Sequence, residues 1–106
     1  MKKGNVITFG ERLRNLRAEA NLSLREVSSE MGIDASLLGK IERDERLPTK
    51  EQVKQAAAFF RLDEKQLTKE ILSDIFAYKI IEEEVDLDTL KIAEKKVEYL
   101  KIKKLK

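Results

Sequence analysis

Cysteine and histidine are both absent from this chain of 106 residues. The protein therefore has no disulfide, no thiolate nucleophile, no imidazole general base and none of the usual zinc sites. Most common catalytic arrangements are excluded, so we expect a protein that is not an enzyme and that needs no cofactor or metal. The apolar runs are only a few residues long, too short to cross a membrane. A cytoplasmic protein is expected.

The overall charge does not point to a partner. Charged residues make up 40% of the chain, but 22 basic side chains stand against 20 acidic ones, which leaves a net charge of +2. A near-neutral total says nothing about how the charges are arranged on a surface. The length is ordinarily that of one domain, near the size at which small domains rely on partners.

Signals for helix starts follow one another at short intervals. Three segments fit the capping box, in which a hydroxyl accepts from a free backbone amide and a Glu or Gln reaches back: they are Thr8–Glu11, Ser23–Glu26 and Thr49–Gln52. Asp34 and Asp63 are further N-cap candidates. Asn21 stands where a left-handed residue would close the first helix. Five helices are therefore predicted within the first two thirds of the chain.

Apolar residues between these starts recur at helical spacing, and no segment alternates like a strand. After Leu67 the chain becomes more apolar over a longer predicted helix. A last helix follows, with Asp86 or Asp88 as its cap. Its apolar residues are spaced three, four and three apart, as in a short coiled-coil seam: they are Leu90, Ala93, Val97 and Leu100. The sequence predicts an all-α protein.

The second and third predicted helices have the pattern of a helix–turn–helix. This motif needs a small residue where the helices cross, a turn residue free to take positive φ, and apolar anchors on both sides. Ser28 is the small residue and Gly32 is the turn residue, while Ile33, Leu38 and Ile41 supply anchors. The requirements are met together at the right offsets.

The stretch "FGERLRNLRAEANLSLREVSSEMGIDASLLGKIERDERLPT" resembles the Cro/CI-type helix-turn-helix family, also called the xenobiotic-response-element type. The resemblance covers residues 8–68, roughly three fifths of the chain. It implies a five-helix, lambda-repressor-like domain that binds double-stranded DNA, usually as a dimer on two half-sites. We expect residues 1–68 to form this domain and residues 69–106 to form a C-terminal helical extension for dimerisation.

The third helix would lie in the major groove. If Leu38 and Ile41 face the core, its outer face carries the remaining positions, which are Ala35, Ser36, Gly39, Lys40 and Arg43. The resemblance assigns base reading to Ala35, Ser36 and Lys40. Gly39 is interpreted as the position that lets the backbone approach DNA closely, with a plain weak spot in the helix as the alternative. Leu37 either packs on the scaffold, which we favour, or reaches a thymine methyl.

Phosphate contacts are expected from residues that flank this helix and from helix N-termini: they are Arg43, Arg46, Lys50, Arg25 and Ser23. By the family pattern, Arg17 pairs with Glu42 and fixes the third helix on the scaffold. Two departures from the family stand out. Leu24 replaces a glutamine that often bonds phosphate, and Asp44 with Glu45 brings negative charge close to the groove-facing helix.

The apolar C-terminal residues predict an interaction surface. The dimerisation candidates are Ile71, Ile75, Phe76, Ile80, Leu90, Val97 and Leu100. The alternative is that these helices fold back as core. The function predicted is a homodimeric transcriptional regulator associated with the nucleoid, a repressor or autoregulator similar to phage repressors or restriction–modification controllers. The alternative function is an antitoxin or other module that clamps a partner protein.

Overall fold

The computed structural model describes residues 6–104, which form α-helices and no strand. The helices are α1 (Phe9–Glu19), α2 (Leu24–Met31), α3 (Ala35–Glu42), α4 (Lys50–Phe60), α5 (Glu64–Glu82) and α6 (Leu87–Lys104). The all-α prediction is confirmed over this part of the chain. The fifth and sixth helices are the long apolar helix and the last helix that the sequence predicted.

The predicted caps are present at the helix starts. Thr8, Ser23 and Thr49 each accept from the backbone amide three residues on, and the Glu or Gln at that position reaches back to the cap. An Asp34 carboxylate oxygen accepts from the Leu37 amide at 2.7 Å. At the start of α6 the cap is Asp86, whose Oδ1 accepts from the Thr89 amide at 2.8 Å. Each cap satisfies an amide that has no partner inside its helix.

The ends of the first four helices are closed by residues with positive φ. Asn21 and Gly32 adopt φ values of 56° and 72°, as the sequence predicted. Asp44 and Arg61 do the same at 61° and 57°. The left-handed conformation of Arg61 could not be predicted from its residue type, because arginine rarely adopts positive φ. Arg61 adopts it because it lies at the end of α4.

The chain divides into two compact units, Met1–Asp74 and Ile75–Lys106. The core of the first unit is built from aliphatic and aromatic side chains of α1 to α5, namely Phe9, Leu13, Val27, Met31, Leu38, Ile41, Val53, Ala56, Ala57, Leu67 and Ile71. Ile71 is only 8% exposed. Its assignment to the dimerisation surface is therefore wrong, because it is already buried in its own unit.

Polar contacts also extend the first unit beyond Thr68. Arg12 Nε lies 2.8 Å from Glu70 Oε1. The Phe9 amide donates to Asp74 Oδ2 at 2.7 Å, so a carboxylate of α5 holds a free amide at the start of α1. Burial raises the pKa of Asp74, and the charges of Asp44 and Glu11 raise it further against the lowering effect of that hydrogen bond. The last turn of α5 within this unit is thus tied to α1.

The second unit consists of the C-terminal part of α5 and of α6. No residue of α6, which the structure describes from end to end, is buried. Large apolar side chains are exposed along both segments, among them Phe76 at 61%, Val97 at 51% and Leu100 at 57%. Ile75 is 37% exposed, and Ile80 and Leu90 are half-buried. These residues are available to a partner, in contrast to Ile71.

Candidate nucleic-acid interface

The junction between α2 and α3 is built from small and aliphatic residues. Val27 and Leu38 are fully buried, and Ile41 is 1% exposed. Ser28 is also buried, and its hydroxyl donates to the Arg25 carbonyl at 3.1 Å. The Gly32 turn lets α3 start immediately afterwards, and Ile33 packs against the core cluster. The junction therefore fixes which face of α3 points outward.

Arg17 and Glu42 connect α1 to the last turn of α3. Arg17 Nε lies 2.8 Å from Glu42 Oε2, and Nη2 lies 3.0 Å from Oε1. Nη1 donates to the Leu22 carbonyl at 3.0 Å. The hydrogen bond to Glu42 raises the pKa of Arg17. The Glu42 side chain is only 4% exposed, so the predicted pair is present and largely removed from water.

Three of the predicted base-reading residues lie on the accessible side of α3. Ser36 and Lys40 are exposed, and Ala35 is half-buried. Leu37 is half-buried and packs against the core cluster, which is the scaffold role that the sequence favoured. The outward face thus presents one hydroxyl and one ammonium group to a ligand.

The structure adds a condition to the prediction for Gly39. Gly39 is buried, and a Cβ placed on it would meet Arg43 Nη1 at 3.1 Å and Leu24 Cδ1 at 3.9 Å. The Arg43 guanidinium occupies the space above the helix backbone, so a close approach at Gly39 requires that side chain to move. Register placed Gly39 on the outer face, but a long side chain one turn later covers it, as helix side-chain directions allow.

The predicted phosphate-contacting residues are all exposed, namely Ser23, Arg25, Arg43, Arg46 and Lys50. Arg25 lines a surface hollow of about 470 Å³ with Leu22 and Phe59, and no α3 residue contributes to that hollow. Arg43, in contrast, lies directly over α3.

A small hollow beside α3 contains a residue that sequence reasoning missed. It measures about 200 Å³ and is lined by Arg14, Arg17, Leu24, Gly39, Glu42 and Arg43. Arg14 is exposed, and within residues 6–104 it forms no ion pair. Its position one turn before Arg17 on the same helix was the available signal. Arg14 thus places a cation in the same hollow as Leu24.

The loop after α3 is fixed by a Schellman motif, the hydrogen-bond pattern that commonly ends helices with a left-handed residue. The Glu45 amide donates to the Lys40 carbonyl at 2.9 Å, and the Asp44 amide donates to the Ile41 carbonyl at 3.1 Å. Asp44 holds the left-handed position, and its Oδ2 accepts from the Thr8 hydroxyl at 2.7 Å. The loop is therefore attached to the start of α1.

Residues 6–104 contain no helix with the length and mean hydropathy of a membrane span. The same residues bring no three acidic side chains together in a way that would hold a metal ion. The α3 surface is the functional candidate that the geometry favours.

Comparison with known proteins agrees with this geometry. The profile described as "Helix-turn-helix domain" matches residues 8–69. A search of curated protein sequences gave no significant match. Among solved structures, the restriction–modification controller protein C.AhdI from Aeromonas hydrophila is 30% identical, with a TM-score of 0.52, over 56% of this chain and 89% of that chain.

Two structures of the regulator SinR also match. SinR in complex with DNA, described as the master regulator for biofilm formation, is 26% identical with a TM-score of 0.52, over 57% of this chain and 98% of that chain. A chain of the SinR–SinI complex is 20% identical with a TM-score of 0.53, and it covers 93% of this chain and 100% of that chain. The last match shows similarity of fold alone.

Proposed function

The chain belongs to the helix-turn-helix domain family, and from that premise we propose that it is a transcriptional regulator that binds specific double-stranded DNA through α3. The observation that carries the proposal is the presentation of α3. Leu38 and Ile41 are buried beneath it while Ser36 and Lys40 face outward on the same short helix. The related controller and DNA-bound regulator structures support this class of function.

The mechanism follows from the size of the major groove, which admits one α-helix. Lys40 is positioned to donate to guanine O6 or N7, and Ser36 can bond to either kind of base edge. Ala35 contributes apolar contact with a thymine methyl. This is a small set of base contacts, so sequence-dependent DNA shape and bridging water supply part of the specificity.

Phosphate contacts hold the helix in register on the duplex. Arg46 and Lys50 lie in the loop after α3 and at the start of α4, and both are exposed. Arg14 lines the small hollow beside α3, and Ser23 is the exposed N-cap of α2, next to Leu24 in the sequence. Arg14 supplies the charge that Leu24 cannot.

We also propose that the chain acts as a homodimer through the second unit. An 18-residue helix without a buried residue is marginal in water, because helices gain most of their stability from packing an apolar face. The exposed α6 residues Val97 and Leu100 continue the spacing of a coiled-coil seam that begins at Leu90. Two copies would place two α3 helices in successive major grooves about 34 Å apart.

The substitution Lys40→Ala tests the reading of bases. We expect the free energy of binding to the selected operator to fall by about 1–3 kcal/mol and the preference at one base position to relax. The operator is obtained by selecting bound duplexes from a random library with the wild-type chain, and the selection is repeated with the variant. Lys69→Ala, an exposed lysine on α5, is the control. An unchanged preference with Lys40→Ala would contradict the assignment.

The substitution Leu100→Glu tests the dimer. A charge in a desolvated seam is costly, so we expect light scattering after size exclusion to change from a dimer mass to a monomer mass. Lys95→Glu on the same helix is the control for adding one acidic residue. Truncation after Asp74, which keeps Ile71 and the Asp74 hydrogen bond, should likewise yield a folded monomer that binds DNA weakly. A truncated chain that still dimerises would contradict the proposal.

The second candidate function is a module that uses these helices to clamp a different protein. The same exposed face of α6 favours this second function, because a different protein could cover that face as well as a second copy of the chain. In that case the wild-type chain would be monomeric in light scattering, and Leu100→Glu would leave its mass unchanged.

A further inference from the structure

The Schellman motif at the end of α3 brings an acidic side chain back over the helix. Glu45 accepts from Arg43 through two atoms, with Nε to Oε2 at 2.9 Å and Nη2 to Oε1 at 3.4 Å. Both side chains are more than half exposed. On its other side the Arg43 guanidinium covers Gly39. The cation on the last turn of α3 is therefore held between a glycine and a carboxylate.

The second cation of α3, Lys40, also acts on this carboxylate. The hydrogen bond and the charge of Arg43 lower the pKa of Glu45, and the charge of Lys40 lowers it further. The same pair raises the pKa of Arg43. Glu45 is thus ionised at neutral pH and paired with Arg43. Arg43 is one of the predicted phosphate contacts, and the proposed function assigns Lys40 to bases.

We propose that Glu45 is a specificity-determining residue that occupies Arg43 until α3 is fully seated in its operator. The proposal rests on the proposed function. A carboxylate and a phosphate both present paired oxygens to the planar guanidinium fork, so Glu45 stands in for a phosphate in the free protein. Arg43 can exchange one for the other only where a phosphate lies within its reach.

This exchange affects the two modes of DNA binding differently. Non-specific binding is almost entirely electrostatic and scales with the number of cations that meet phosphates. In a loosely placed complex, Arg43 remains on Glu45, so the ion pair is kept and Arg43 adds nothing to binding. In the seated complex, base contacts of α3 hold Arg43 beside a phosphate and the exchange takes place. The ion pair is then lost and Glu45 is left unpaired beside the DNA backbone, so Glu45 weakens specific binding more than non-specific binding.

The experiment compares wild type with Glu45→Gln on two fluorescent duplexes, the selected operator and a mixed-sequence duplex of the same length. Fluorescence anisotropy gives Kd over a series of potassium chloride concentrations. On the operator we expect Glu45→Gln to bind roughly five- to tenfold more tightly, because the seated complex no longer loses the Arg43–Glu45 pair. On the mixed duplex we expect a smaller gain and a salt slope steeper by about one, because Arg43 becomes free to meet a phosphate, so the ratio of the two affinities rises.

Two further variants distinguish competition between Glu45 and a phosphate for Arg43 from a simple change in net charge. Glu30→Gln makes the same charge change on α2, where Glu30 lines the hollow without α3 residues, and should leave the salt slope unchanged. In an Arg43→Ala background there is no ion pair to lose, so Glu45→Gln should strengthen operator binding less than it does in the wild-type background. Thermal unfolding of each variant confirms that it is folded.

The outcomes are distinguishable. If wild type and every variant fail to bind either duplex at low salt, the proposed function itself is wrong. If wild type binds but Glu45→Gln leaves the operator affinity and the mixed-duplex salt slope unchanged, DNA binding stands and the role of Glu45 is overturned. An equal gain on both duplexes would also overturn it, because Glu45 would then have no effect on specificity.

Discussion

Replacing Gly10 with alanine is expected to lower the free energy of unfolding by about 2–3 kcal/mol, the cost of forcing extra atoms into a packed contact. A Cβ at this position would meet the Ile41 carbonyl oxygen and would lie 2.9 Å from the Glu42 carbonyl oxygen. Both atoms belong to the backbone of α3 and cannot rotate away. The start of α1 would therefore have to move away from the end of α3.

Gly39→Ala is the matched control, because it makes the same substitution with the opposite expected sign. There the added Cβ meets Arg43 Nη1 at 3.1 Å, and that is the far end of a flexible, exposed side chain. Removing a glycine from a helix interior stabilises it by about 1 kcal/mol. Denaturant unfolding of the two variants should therefore move the midpoint in opposite directions.

Gly10→Ala should also weaken DNA binding by the folded protein. The hydrogen bond from the Thr8 hydroxyl to Asp44 holds the loop after α3 against the start of α1. A displaced α1 would release that loop and the Glu45 side chain beside it. A midpoint for Gly10→Ala equal to that of wild type would show that α1 and α3 are not as closely packed as described.

Replacing Arg17 with methionine is expected to cost about 3 kcal/mol, because it leaves the Glu42 carboxylate buried without its partner. Chemical denaturation of the variant and of wild type at neutral pH measures this.

The double variant Arg17→Met with Glu42→Leu separates two roles of the ion pair. One is its contribution to the stability of the fold, and the other is fixing the direction of α3. Buried ion pairs are often replaced by apolar residues with little loss of stability, so we expect most of the deficit to disappear. We expect operator affinity to stay reduced, because the bidentate pair and the Arg17 bond to the Leu22 carbonyl fix the direction of α3. Recovery of both properties would show that the pair has no orienting role.

The placement of α3 was largely predictable from residue types. Ser28, Gly32 and Leu38 are each required by local geometry, and all three lie where the pattern predicted. The surroundings of α3 were not predictable. Arg14 comes from α1 and reaches the small hollow only because α1 packs across α3. Its contribution depends on contacts between residues far apart in the chain.

Some errors came from treating each helix separately. Ile71 follows the same apolar spacing as Ile75, and the spacing alone does not say which of them meets the core. In the structure Ile71 is 8% exposed and Ile75 is 37% exposed, because the first unit ends between them. The boundary was predicted at Thr68 since the family resemblance ended there.

The sequence by itself determined the secondary structure, the caps, the turn at Gly32 and the apolar faces of the helices. These depend on interactions within a few residues, which residue type and spacing specify. Only the tertiary structure decided that Gly39 is covered, that Ile71 is core and that Gly10 contacts the backbone of α3. Such contacts depend on how closely two helices approach and on which way a long side chain turns, and neither is encoded in any single segment.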